Sequence, residues 1–391
     1  MFFAVSHKKQ PPVIESANAL KGSLKTGMAM LFALPLLACV SPVSPVSSVS
    51  LPSPKMVVCQ VTTLEQDSVE VQQGCQQAAE QGDANAQNYI GQMYLKGHGV
   101  ERDDAKAEGW LIKSAEQGNA AAQYSLAKMY FNDCGCAAAQ DNEKAVNWLR
   151  KAAEQGHMEA QYDFGIKYFC GCTVVQKNDV EAAKWFRKAA EQGSMKAQST
   201  LGVMYAQGQG VEKDDKQAVE WYRKAAEQGF AGAQTNLGYM YFLGRGIEQD
   251  DAQALKWFRA AAEGGDSVGL SNLGEMYFFG RGVKQDDAQA LKWFRAAAER
   301  GFEKARFYAV GTYALGMASP KRGDKHDVRQ AIAWFKTEAE KDDVMAQFFL
   351  GKMYAEGRGV KKNKAQARKW YKILADKGYI RAQKALRNLK K

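Results

Sequence analysis

One alanine-led block sets the terms for everything this chain can fold into. Residues 197–230 read AQSTLGVMYAQGQGVEKDDKQAVEWYRKAAEQGF, and the block returns with substitutions through most of the 391 residues. Its opening residue recurs as Ala86, Ala122, Ala160, Ala197, Ala233, Ala305, Ala346 and Ala382, with Gly269 in the remaining place. The steps between them are 36, 38, 37, 36, 36, 36, 41 and 36 residues. A unit this short encloses little apolar surface alone. A fixed period in this range therefore means units stacked side by side, each burying its neighbour's face.

Each unit reads as two helices. At roughly 100° per residue, Ala197, Leu201, Gly202 and Tyr205 lie at about 0°, 40°, 140° and 80°, one continuous face. The second helix begins near Asp214-Asp215 and carries Trp221, Tyr222, Ala225 and Ala226. Asp214-x-x-Gln217, Asp250-x-x-Gln253 and Asp286-x-x-Gln289 fit a helix start, where a carboxylate accepts a backbone N–H that has no partner within the helix. Gly229 and its counterparts Gly118, Gly156, Gly193, Gly265, Gly301 and Gly378 stand where the second helix must stop. The spacing predicts an all-α chain of about eight helix-turn-helix repeats, with a half-repeat at each end.

The motifs A-x-x-x-L-G-x-x-Y-x-x-G-x-G-V and K-A-x-x-W-Y/F-x-K-A-A-E-Q-G resemble the Sel-like repeat family, relatives of the tetratricopeptide repeats. The likeness runs from about Cys75 to Leu389. It implies a right-handed α-solenoid whose first helices line a concave surface, acting as a non-catalytic scaffold for other proteins. It names no partner.

Charge is unevenly spread over the chain, whose net charge is +10. Residues 352–391 hold fourteen Lys/Arg against two acids, and residues 1–39 hold four lysines against one glutamate. The stretch between is mildly acidic. A basic terminal repeat keeps an open solenoid end soluble, or meets an anionic partner such as phospholipid, lipopolysaccharide, a cell-wall polymer or an acidic protein.

The N-terminal 39 residues read as an export signal. Lys8, Lys9, Lys21 and Lys25 precede the apolar run Met28 to Ala38, which is too short to span a bilayer and contains Pro35. Leu36-Leu37-Ala38-Cys39 resembles the lipobox of bacterial lipoproteins. That resemblance implies a lipid on Cys39 and, with Val40 following, an outer-membrane destination facing the periplasm. Residues 40–58, rich in Ser and Pro, then form a tether, and 59–391 the repeat solenoid. The export signal argues against nucleic acid as a partner.

An even set of cysteines remains once Cys39 is set aside, and an oxidising compartment favours disulfides. Cys59 and Cys75 make one expected pair, pinning the end of the tether to the capping half-repeat. Cys134, Cys136, Cys170 and Cys172 come from matching loops of adjacent repeats, as two Cys-Gly-Cys pairs. Three connectivities, a thiolate metal site and free thiols stay open for these four.

Reactive chemistry finds little footing. The histidines His7, His98, His157 and His326 share no spacing, and they read as loop or repeat-end residues. The Gly-x-Gly pairs join two helices and follow no strand, so they are turns rather than phosphate loops. The Asp-Asp pairs mark helix starts rather than metal ligands. Arg245 and Arg281 in consecutive turns form a short basic edge. No catalytic residue, metal or cofactor is expected.

Binding residues follow from the wheel. Offsets +2, +3 and +6 from the opening alanine fall opposite the packed face and vary most between repeats. These positions hold Tyr124, Lys128, Tyr162, Asp163, Tyr239, Glu275, Phe307, Tyr308, Phe348, Phe349 and Lys352. On a concave surface they are anchors for a bound protein. The first expectation is therefore an envelope scaffold for other envelope or secreted proteins, held to the membrane through its lipid anchor. The second is a binder of cell-wall or anionic polysaccharide through the basic end. A cell-wall hydrolase ranks third.

Overall fold

The computed structural model describes residues 59, 69–131, 139–172, 174–314 and 325–389. Among them the backbone forms eighteen α-helices and no strand, the all-α solenoid of repeats that the period predicts. These residues fall into two compact units. The larger opens with α1 (Val69–Glu80). Six pairs follow: α2 (Ala84–Lys96) with α3 (Asp104–Glu116), α4 (Ala120–Tyr130) with α5 (Ala139–Glu154), α6 (Met158–Cys170) with α7 (Asp179–Glu191), α8 (Met195–Gln207) with α9 (Asp215–Glu227), α10 (Ala231–Leu243) with α11 (Asp251–Glu263), and α12 (Ser267–Phe279) with α13 (Asp287–Glu299). It closes with α14 (Glu303–Ala314). The smaller unit holds α15 (Lys325–Glu340), the pair α16 (Val344–Glu356) and α17 (Lys364–Asp376), and α18 (Ile380–Asn388). Residues 315–324, for which the sequence predicts a bulged loop, lie outside the described residues.

Helix starts are capped as the spacing predicts. Asp214 Oδ1 accepts from the backbone N–H of Lys216 at 2.9 Å and of Gln217 at 3.1 Å. Asp250, Asp286 and Asn363 do the same for α11, α13 and α17. Each such cap stabilises its helix by about 1 kcal/mol. The first helices α2, α8, α10, α12 and α16 end on a left-handed glycine, for example Gly208 with φ 71° at the end of α8, where a Cβ would be strained.

The two helices of a pair meet through one glycine. A Cβ on Gly202 would lie 2.5 Å from two ring carbons of Tyr222, a side chain that is fully buried. Gly165, Gly238, Gly274 and Gly351 face Phe186, Phe258, Phe294 and Tyr371 in the same way. In the second repeat the glycine is replaced by Ala127, and the facing residue shrinks to Leu149; both sit in one apolar cluster. The small residue lets the helices close until the aromatic ring fills the gap, which removes that ring from water.

The first helix of the fifth repeat is more deeply buried than the second. In α10 every residue from Ala233 to Phe242 is buried. In α11 burial reaches only Ala254, Phe258, Ala261 and Ala262.

Candidate protein-binding face

Consecutive first helices meet through offset +2 or +6 of one repeat and offset +3 of the next. Tyr124 on α4 donates its hydroxyl to Asp163 Oδ2 on α6 at 2.8 Å. The Tyr162 hydroxyl on α6 is hydrogen-bonded to Thr200 on α8. Gln92 on α2 donates to Ser125 Oγ on α4 at 2.5 Å. This ladder explains why these slots vary together, since each must fit its partner one repeat away.

At α4 and α6 the ladder carries a charged cluster. Asp163 is half-buried, with Lys128, Lys167 and Lys196 close enough to act on its charge. Desolvation outweighs both those lysines and the Tyr124 hydrogen bond, holding the carboxyl above the usual carboxylate range. Burial, together with Asp163, raises the Tyr124 phenol well above its ordinary value. His157 caps α6: its Nδ1 accepts from the Ala160 N–H at 3.3 Å, and its ring stacks on Tyr124 with centroids 4.8 Å apart. Burial lowers the His157 pKa despite the nearby Glu159 and Asp163 carboxylates. The sequence reading placed His157 as an exposed repeat-end residue; the fold instead seats it, half-buried, between two first helices. Lys128 stands exposed at the edge, 5.9 Å above the Tyr124 ring.

The other residues expected on this face are distributed differently. Tyr162, Tyr239, Phe307, Tyr308, Phe348 and Phe349 are buried, none more than 9% exposed. They are internal packing rather than free anchors. Tyr162 meets Phe186 at 5.5 Å between ring centroids, Tyr308 meets Phe294 at 5.4 Å, Phe349 meets Phe335 at 5.0 Å and Phe348 meets Tyr371 at 5.6 Å. The wheel fails here because it counts one helix against its own partner. A first helix in a stack packs on two second helices: Tyr308 and Phe349 meet that of the preceding repeat, while the long rings of Tyr162 and Phe348 still reach that of their own. Burial also pushes the Tyr162 phenol up to about 12. Glu275 is buried as well. Lys352 is half-buried and pairs with Glu356 at 2.5 Å. Tyr124, Lys128 and Asp163 thus remain at the accessible part of the predicted face.

Arg245 and Arg281 do not form a basic edge. Arg245 makes a two-pronged bond with the Asp215 carboxylate, with Nε to Oδ2 at 3.0 Å. Arg281 repeats this with Asp251, at 2.9 and 2.6 Å. In these Asp-Asp pairs the first residue caps its own helix and the second holds the turn of the next repeat.

A glutamine relay runs through the larger unit that sequence reading missed. Gln228 donates to Gln198 Oε1 at 2.8 Å, and Gln198 donates to the Ala190 carbonyl at 3.0 Å. Gln117–Gln87, Gln155–Gln123 and Gln192–Gln161 repeat the motif. Where Gly264 replaces the outer glutamine, the buried Gln234 Oε1 is left with no hydrogen-bond partner. The signal was present in the sequence as two glutamines about thirty residues apart in each of the first four units, which no single-helix pattern connects.

Cys59 and Cys75 are joined by a disulfide, with Cα atoms 5.5 Å apart. Cys170 is exposed at the end of α6 and Cys172 is half-buried just beyond. Cys134 and Cys136 lie outside the described residues, as do Cys39 and the tether. Among the described residues, no group of three His, Cys, Asp or Glu is arranged to hold a metal, and no helix is long and apolar enough to cross a membrane.

Comparison with known proteins matches this architecture to one family. Eight consecutive segments, 84–119, 120–157, 159–194, 196–230, 231–266, 267–302, 308–343 and 344–379, match the Sel1 repeat. Among solved structures the chain is similar to an SLR-fold protective antigen present in uropathogenic Escherichia coli strains. The two are 38% identical with a TM-score of 0.60, over 81% of this chain and 66% of that one, so the chain spans just under two thirds of the antigen's length. It is also similar to a Sel1 repeat protein from Oxalobacter formigenes, at 35% identity and a TM-score of 0.52, over 58% of this chain and 90% of that one. Among curated proteins nothing matches. With the repeat recognised along most of its length, the chain belongs to the Sel1 repeat family.

Proposed function

We propose that this chain is a non-catalytic scaffold of the bacterial envelope that holds a partner protein against the first helices of its second to fourth repeats. Sel1 repeats generally mediate protein–protein interaction, and proteins built from them are typically non-catalytic scaffolds. The observation that carries the reading is the Tyr124–Asp163 cluster, where a hydrogen-bonded phenol and carboxyl group from two consecutive first helices lie beside the exposed Lys128. A partner there meets an aromatic face, a carboxyl group and the Lys128 ammonium within one repeat of each other, the kind of mixed anchor that fixes register in an interface. Export and tethering rest on the sequence: the charged, then apolar, N-terminal segment ending in the lipobox-like Leu36 to Cys39, followed by the Ser/Pro-rich 40–58.

The test is capture from an envelope extract by the full chain, compared with Tyr124→Ala and Lys128→Glu. A groove partner is retained at about 0.5 M salt, where exposed charges are screened within a few Å. It is lost in both variants and kept by Lys216→Glu on the outer surface. Equal capture by all three variants overturns the assignment of the face. For the tether, mass spectrometry of the native N-terminus is expected to show diacylglyceryl Cys39. An unmodified mature terminus would remove the lipid from the proposal while leaving the binding face untouched.

A further inference from the structure

The last repeat inverts the charge of the slots that an additional repeat would cover. In α9 and α11 the second residue of the Asp pair, Asp215 or Asp251, receives an arginine from the following turn. In α17 that slot is Lys364. In α18, Arg387 occupies the place of Gly202, through which a second helix would pack, and Lys384 the place of Ser199, which faces the following repeat. An added repeat would meet a guanidinium and two ammonium groups where it needs a small residue and a carboxylate.

This end has a second property. Lys361, Lys362, Lys364, Arg368 and Lys372, on the turn before α17 and along it, are exposed, as are Lys384 and Arg387 on α18. None of the seven has an ion-pair partner among the described residues. Asp376 is the one acid in 357–391. Lys364, Arg368 and Lys372 lie four residues apart on one flank of α17. Opposite the buried Ala382, the outward face of α18 presents Ile380, Lys384 and Arg387 at helical spacing, and Ile380 is 62% exposed. An outward isoleucine set between cations suits a planar surface that is negatively charged outside and apolar beneath.

We infer that the C-terminal end, the turn before α17 with α17 and α18, docks on an anionic phospholipid surface through headgroup phosphates, with Ile380 reaching the interface. Each basic residue close to an anionic bilayer strengthens binding about fivefold. Half-repeats elsewhere in the chain have no such composition: no lysine or arginine falls within residues 56–95 at the opposite end.

The experiment uses the full chain and sedimented vesicles of phosphatidylcholine alone or mixed with phosphatidylglycerol. The apolar segment 28–38 is common to every variant, so differences between variants report the C-terminal end. Wild type is expected to bind the anionic vesicles and to weaken as salt rises. Lys364→Glu/Arg368→Glu/Lys372→Glu should lose at least about a hundredfold in affinity. A charge-matched reversal of Lys213, Lys216 and Lys284 should lose far less, and Ile380→Ser should weaken binding without changing its salt dependence. Helical circular dichroism and the urea midpoint confirm that each variant is folded. Equal binding to neutral vesicles, or equal loss in the two triple variants, overturns the inference. So does binding to soluble polyphosphate or acidic polysaccharide that matches or exceeds vesicle binding, which would assign the end to a soluble polymer. Self-association abolished by the same triple reversal would assign it to a second copy of the chain and overturn it equally.

Discussion

Two glycine-to-alanine substitutions in helix interiors should change stability in opposite directions. Gly202→Ala adds a methyl 2.5 Å from two carbons of the Tyr222 ring, and that ring is fully buried and cannot swing away into solvent. Overpacking of this kind costs about 1–3 kcal/mol, offset by about 1 kcal/mol of helix propensity. The net destabilisation is then up to about 2 kcal/mol. Gly109→Ala in α3 meets nothing within 4 Å, so it keeps only the gain of about 1 kcal/mol. The chain also contains its own remedy, the Ala127–Leu149 pair. Tyr222→Leu alone opens a cavity and costs about 2 kcal/mol or more. Combined with Gly202→Ala it should cost less than the sum of the two, with a coupling of about 1–2 kcal/mol. Urea unfolding followed by circular dichroism gives the totals. Amide exchange across α8 and α9 localises the effect, because a repeat array need not unfold as one unit. A Gly202→Ala midpoint that rises as much as that of Gly109→Ala, or a coupling of zero, would refute the account of how the two helices meet.

Asp163→Asn keeps an acceptor for the Tyr124 hydroxyl and removes the buried charge. The folded carboxyl titrates above its ordinary value of 3.8, so the folded state binds more protons in that window and wild-type stability falls as pH rises through it. The variant should be more stable at neutral pH, with the gap closing as pH falls below about 4; a gap independent of pH in urea midpoints would exclude this. Gln198→Met breaks both bonds of a relay glutamine, whereas Gln234→Met breaks one because Oε1 is already unpartnered. The first should cost about 1 kcal/mol more than the second, and equal midpoints would show that the relay contributes nothing. Asp342 holds φ 73° where other repeats place glycine, with its carboxylate on Lys377 at 2.6 Å and on Gln347. Because Asp342 is nearly half exposed, the ion pair itself adds little. Asp342→Ala should therefore be less stable than Asp342→Gly by about 1 kcal/mol, the cost of a left-handed L-residue, and identical thermal midpoints would argue against it.

How much of this was legible in advance depends on the range of the interaction. The second helices were legible almost completely. Asp214, Asp250 and Asp286 start them, Tyr222 and Phe258 fill them, and each of these roles is set within a few residues by capping and amphipathic period. Exposure along the proposed binding face was not legible. Tyr124 and Lys128 lie at its accessible part, while Phe348, Phe349 and Tyr239 are buried, although the same wheel selects them all. His157 does lie at the repeat end, but its burial was not legible, because its stacking partner Tyr124 comes from the preceding first helix.

The sequence by itself determined the repeat, its two helices, its caps, and the charge of its last unit, because these depend on local backbone chemistry and on a period that can be counted. Only the tertiary structure decided which aromatic side chains are walls and which are surface, that the arginines of the turns are neutralised by Asp215 and Asp251, and that glutamines about thirty residues apart form one relay. These are contacts between helices, some within one repeat, as Tyr162–Phe186 and Gln228–Gln198, and others between neighbouring repeats, as Arg245–Asp215 and Gln198–Ala190. Their energies depend on the distance between whole helices, and that distance is set by what a glycine such as Gly202 allows its facing ring to fill.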